Sequence, residues 1–168
     1  TRRSSDLVVN ASNITTLTGT IAQVQAAYTA NSAGTISGLG NEAVTLSDTT
    51  VLASVLNSID TSTSGTINAT SVTTLTGLAT DIQTAYGSSG ISGLGNEAVT
   101  LSDTTIAATT LTTVEGLTTG VVNASSVTTI TGTATQVQAA YTANTFGTVS
   151  GLGDEAVTLS DTTIAANT

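Results

Sequence analysis

The sequence predicts an α/β solenoid, with about six stacked coils of parallel strands and short helices on one face. Three observations predict it. First, one block of about 55 residues is written three times, and Asn10, Asn68 and Asn123 open the matching segments. Such a period marks stacked units that bury their apolar faces against one another. Second, stretches of β-branched residues alternate with stretches at helical spacing inside each block. Third, the main length change between copies falls in one Gly/Ser/Asn loop: Tyr28 to Ile36 and Tyr141 to Val149 are eight residues apart, Tyr86 to Ile91 five. A stack of coils tolerates such a change. A plain parallel β-helix with no helical face is the alternative architecture.

Residues 1–6 read as an N-terminal arm, 7–64 as the first repeat, 65–119 as the second and 120–168 as a truncated third, all in one continuous solenoid domain. Each repeat divides into two unlike halves, A and B. Half A is clearest at 65–86. Its first part is β-branched and bounded by glycines, which predicts strand. Equivalent apolar positions are Val9, Ile67 and Val122, then Ile14, Val72 and Val127, then Leu17, Leu75 and Ile130. The period then changes. Leu78, Ile82, Ala85 and Tyr86 fall on one face of a helix, as do Val24, Ala27 and Tyr28, and Val137, Ala140 and Tyr141. Thr20 and Thr133 are candidate N-caps.

Half B begins at 91–103 with Ile-Ser-Gly-Leu-Gly-Asn-Glu-Ala-Val-Thr-Leu-Ser-Asp. Val99 and Leu101 alternate with Thr100 and Ser102, a half-buried strand. Val51, Leu52, Val55, Leu56 and Ile59 then give helical spacing, as do Ile106, Ala107, Leu111 and Val114. Ser47-Asp48 and Ser102-Asp103 stand where a side-chain oxygen can cap the helix that follows.

Composition narrows the function. The 168 residues are 39% hydrophobic, with three Tyr, one Phe, no Trp and no Met. The core must therefore be a thin one of Val, Ile, Leu and Ala. No Pro and only 8% charged residues argue against a disordered chain. The net charge is −9 and Arg2 and Arg3 are the only cationic side chains, so no basic stripe exists for nucleic acid or an anionic membrane. No apolar run is long enough for membrane insertion, and no signal-peptide pattern follows the opening Thr1. The scarcity of Lys and Arg suits a secreted chain exposed to proteases.

With no His and no Cys, histidine triads and zinc sites of the usual ligand types are absent, and no cluster supplies nucleophile, base and stabiliser together. The chain reads as no enzyme and as needing no cofactor. Calcium is the one metal to weigh, with Glu42, Glu97, Asp154, Asp48, Asp103 and Asp161 as weak candidates at recurring positions. Too few acids per copy stand against the six to eight oxygens calcium takes. The bland reading gives Gly38 and Gly40 to a turn and Asp48 to a cap. Asn10, Asn13, Asn68 and Asn123 match the N-glycosylation pattern. A corner asparagine bonding its own backbone explains the three in register. The many threonines differ in pattern between A and B coils, so they read as soluble strand residues rather than an ice-binding array.

The third half B stops at Ile164 and four further residues, and Leu7-Val8-Val9 opens directly into a half-A strand. Neither terminus reads as a polar cap, which solenoids need. The chain therefore reads as a window on a longer repeat protein or as a subunit stacking head to tail on copies of itself. In the second case Leu7, Val8 and Val9 meet Val157, Leu159 and Ile164, with Arg2 and Arg3 complementing the acidic body.

Asn-Ala-Ser/Thr-x-Val-Thr-Thr-Leu-Thr-Gly, Ala-Tyr, Gly-Leu-Gly-Asn-Glu-Ala-Val-Thr-Leu-Ser-Asp-Thr-Thr and Val-Leu-Asn-Ser-Ile-Asp together resemble tandem repeats of very large secreted or cell-surface proteins of cyanobacteria. The resemblance covers nearly the whole chain from Leu7. It implies an extracellular repeat scaffold, adhesin stalk or fibre and brings no catalytic residues. The expected function is a structural extracellular filament or stalk. The alternative is a segment of a calcium-dependent adhesin or carbohydrate-binding surface protein. A pectate-lyase-like enzyme is a distant third, because the body of the chain lacks the basic residue it needs.

Overall fold

The computed structural model describes residues 7–164. It is an α/β fold of short parallel strands and, among the described residues, five short helices. In the first repeat β1 (Val9–Asn10), β2 (Thr16–Gly19), α1 (Ile21–Ser32), β3 (Ile36–Ser37), β4 (Ala43–Leu46), β5 (Thr50–Leu52) and α2 (Ala53–Asp60) follow in order. The second has β6 (Ile67–Asn68), β7 (Thr74–Gly77), α3 (Ala79–Gly87), β8 (Ile91–Ser92), β9 (Ala98–Leu101), β10 (Thr105–Ala107) and α4 (Ala108–Glu115). The third has β11 (Val122–Asn123), β12 (Thr129–Gly132), α5 (Ala134–Phe146), β13 (Val149–Ser150) and β14 (Ala156–Leu159).

The sheets run β1-β3, β2-β4-β6-β8, β5-β7-β9-β11-β13 and β10-β12-β14. Every strand pairing is parallel and joins elements three apart in chain order. Val51 lies opposite Leu75 and Leu75 opposite Val99; Val99 lies opposite Val122 and Val122 opposite Val149. An arrangement of this kind is compatible with a repeat solenoid.

Three features differ from the sequence reading. Half B holds a third strand: Val51 and Leu52 lie in β5, and Ile106 and Ala107 in β10, not in the helices that follow. The strand runs straight into the helix, with Leu52 and Ala107 at N-cap positions and no side-chain cap bond. No Ser, Asp or Asn interrupts the chain there to announce the boundary. Second, copies of one strand do not stack on each other. β2, β7 and β12 occupy equivalent places in their repeats yet lie in three different sheets. Third, the helices do not form one uniform column. α2 packs closely on α3 and α4 on α5, whereas α1 meets α2, and α3 meets α4, less extensively.

The thin core follows from the composition. Ile67, Leu75, Ile82, Leu101, Leu111 and Ile130 are fully buried, each stabilising the fold by about 1.5–3 kcal/mol. Helix starts follow sequence where the chemistry is local. Thr20 and Thr133 form capping boxes with Gln23 and Gln136, satisfying first-turn N–H groups. Leu78, read as a helix-face residue, is instead the half-exposed N-cap position of α3. Gly38, Gly93 and Gly151 have φ of +92°, +87° and +87°, the region glycine tolerates. A Cβ on Gly38 would stand 2.7 Å from the Ser12 backbone nitrogen, so this turn also lies tight against the strand-end loop beneath it.

Candidate functional site

The inner copies show what each apolar position requires. Ile67 and Val122 are 0% exposed, while Val9 in the same repeat place is 56% exposed. At the other end Val157 is 44% and Leu159 39% exposed, against 0% for Val44 and Val99 and 1% for Leu46 and Leu101. Leu7, Val8 and Ile164 are also largely exposed. The described residues predicted as interface are thus exposed apolar side chains on the first and last described segments, although the exposure of Val8 is not peculiar to its segment, since Val121 in the same repeat place is 44% exposed too. Arg2 and Arg3 lie outside the described residues. Ile14 belongs with the first set too: it is exposed, whereas Val72 and Val127 are buried. Its repeat alignment carried that signal. Phe146 is 80% exposed and was missed altogether, since Ala33 stands in its place in the first repeat.

Five of the six acids weighed for calcium accept hydrogen bonds within the fold, and at the place of the sixth, Asp154, it is the neighbouring Glu155 that does so. Glu42 and Glu97 are completely buried and Glu155 nearly so. Each carboxylate folds back on its own glycine turn: Gly40, Gly95 and Gly153 donate their N–H groups at 2.8–2.9 Å. Each also accepts from a helix tyrosine, Tyr28 at 3.3 Å, Tyr86 at 2.8 Å and Tyr141 at 2.8 Å. Burial, with the facing carboxylate, pushes all three tyrosine hydroxyls above their ordinary value; the Thr63 and Thr118 hydroxyls oppose this at Tyr28 and Tyr86. At Glu155 burial pushes the carboxyl up, but the Tyr141 hydroxyl and the backbone N–H groups of Glu155, Gly153 and Asp154 outweigh it, and the net direction is down. Glu97 Oε1 is buried without a hydrogen-bond partner. Sequence reasoning took Tyr and Glu separately. The signal available was that both recur, with the loop insertion accounting for the change in their spacing.

Asp48, Asp103 and Asp161 do cap helices, but not those that follow them. They accept from Ile21, Ala79 and Ala134 at 2.6, 2.8 and 2.6 Å, the first turns of the helices 24–27 residues earlier. The contact is long-range, tying one layer to the next, so local cap patterns pointed the wrong way. Asn10, Asn68 and Asn123 each accept from the N–H two residues on, at 2.9, 3.0 and 2.9 Å, the Asx corner that turn chemistry favours. Among the described residues no three acids come together as a metal-binding group, and no helix is long and apolar enough to cross a membrane. A groove of about 240 Å³ between α1 and α2 is lined by Gln25, Tyr28, Thr29, Ser32, Ser58, Ile59 and Ser62.

Val9, Val157 and Leu159 are exposed strand residues on the first and last strands described. No family model, curated protein or solved structure matches the chain.

Proposed function

We propose that the chain is a structural α/β solenoid whose end layers stack head to tail on further copies, building an extracellular filament or stalk. One observation carries this reading: positions that are fully buried inside the stack are half-exposed and apolar at both of its ends. The described residues begin with a half-A layer and finish with a half-B layer. Inside the molecule a half-A layer sits on a half-B layer twice, with Val44 opposite Ile67 and Val99 opposite Val122, and Val51 opposite Leu75 and Ile106 opposite Ile130. A second copy docked in that register puts Val9 against Val157 and Leu17 against Ile164, pairs the open strand edges and makes a heterologous contact that propagates.

The fit departs from the internal junctions at one position. Gly65 and Gly120 lie so close to Glu42 and Glu97 that a Cβ would overlap the carbonyl oxygens, and Leu7 stands in their place. The joint must open slightly there. Secretion is supported by the scarcity of Lys and Arg and by the resemblance stated above. The hydroxyl-lined groove between α1 and α2 favours a carbohydrate-binding surface protein as the second reading, although its volume is below that of ordinary ligand sites.

Sedimentation velocity tests the leading reading. The 16.4 kDa chain is expected to give species that grow with concentration, and Val157→Asp to return it to monomer. A parent chain that stays monomeric over the whole concentration range overturns it.

A further inference from the structure

The strand pairings say how such a stack is phased. A complete repeat contains seven elements, in the order strand, strand, helix, strand, strand, strand, helix. Every strand pairing joins elements three apart, and so do the two closest helix contacts, α2 with α3 and α4 with α5. One turn of the chain therefore consumes three elements, one for each side of the coil. From β2, two turns lead through β4 to β6, one element short of β7, its equivalent in the next repeat.

Seven is not a multiple of three. We propose that each repeat makes two and one-third turns, that successive repeats step round the solenoid by one side, and that three repeats close after seven turns. The partner at the end layers is then a second copy of this three-repeat chain, entering with each of its elements on the side its counterpart occupies in the copy below. The proposal rests on the head-to-tail reading for the existence of the stack, but its geometry comes from the internal pairings alone.

The sheet orders match this phasing. One side carries α1 and then β5-β7-β9-β11-β13. A second carries β2-β4-β6-β8 and then α4 and α5. The third carries β1-β3, then α2 and α3, then β10-β12-β14. The first side thus holds one helix and five strands, the second four strands and a helix pair, and the third a helix pair between two strands and three, so the helices climb round the stack as a spiral stripe. No side is a pure strand face, so every side of a filament presents both sheet and helix along its length.

The rise of a subunit follows. Seven turns at the spacing of parallel strands amount to about 34 Å, whereas two turns per repeat would give about 29 Å. Helical reconstruction of filaments of the native chain by electron cryomicroscopy reads this directly. A subunit rise near 34 Å, with helices on all three sides in turn, is the expected result. Filaments with a rise near 29 Å, or with all helices on one side, overturn the phasing and leave head-to-tail stacking standing. Purified protein that forms no filaments overturns the stacking and takes this inference with it.

Discussion

Replacing Tyr86 by Phe removes one hydroxyl from a fully buried carboxylate. The Tyr86 hydroxyl donates to Glu97 Oε2 at 2.8 Å, and Gly95 N–H donates to the same oxygen at 2.8 Å. Glu97 is 0% exposed and its Oε1 has no hydrogen-bond partner. A hydrogen bond to a charged group contributes about 1.5–3 kcal/mol, and a buried charged group that loses a partner sits at the upper end of that range. Tyr86→Phe should therefore cost about 2–3 kcal/mol, which in a chain of this size lowers Tm by about 4–12 °C. Tyr141→Phe breaks a bond of the same 2.8 Å length. Glu155, however, lies in the open end layer and receives Gly153 N–H on both oxygens, so its loss should be smaller. Thermal unfolding followed by circular dichroism at neutral pH, on both variants, reads the difference. A Tyr86→Phe protein that melts with the parent, or a Tyr141→Phe protein that loses more, would refute the reasoning.

The tyrosines also set an alkaline limit. Their folded-state pKa values are raised, so their contribution is complete below about pH 10, the unfolded value, and is lost as pH rises from there towards the folded values; phenolate absorbance should appear together with unfolding, and phenolate that forms while the fold persists contradicts this. Asp103→Ala should cost about 1 kcal/mol, as a lost helix cap does, while Ser102→Ala leaves urea unfolding unchanged; equal effects would return the cap to its local reading. Leu7→Gly restores the residue found at the internal junctions and should strengthen self-association in sedimentation, whereas weaker association would count against the internal register at the joint. Calcium should leave Tm unchanged, since five of the six recurring acids are already taken up by glycine turns and helix starts; a clear upward shift on adding calcium, reversed by EDTA, would favour the adhesin reading.

The sequence showed most where chemistry is local or written three times. Thr20 and Thr133 announced their caps, and Ile67, Leu75 and Ile130 announced the buried strand faces. It showed least where a partner is a layer away. Asp48 looked like a cap for the next helix because the pattern permits it, yet its oxygen reaches Ile21, 27 residues earlier. Val51 and Ile106 kept helical spacing with the residues after them, and only their pairing with Leu75 and Ile130 shows them to be strand. The third strand mattered most, because with it a complete repeat holds seven elements, and equivalent strands such as β2, β7 and β12 lie in different sheets. The exposure of Val9, Ile14, Val157 and Leu159 stands out because the repeat supplies buried counterparts for each, whereas Val8 has none, since Val121 in the same place is 44% exposed as well.

The central claim is that the two end layers meet. The chain contains no cysteine, so a single variant carrying Asn10→Cys and Thr158→Cys tests it cleanly. Those positions match the internal partners Thr45 with Asn68 and Thr100 with Asn123. Mild oxidation should give a ladder of disulfide-linked multimers on a non-reducing gel, while Thr158→Cys alone stops at dimers. Monomer alone from the double variant, with both thiols still free, would contradict the account.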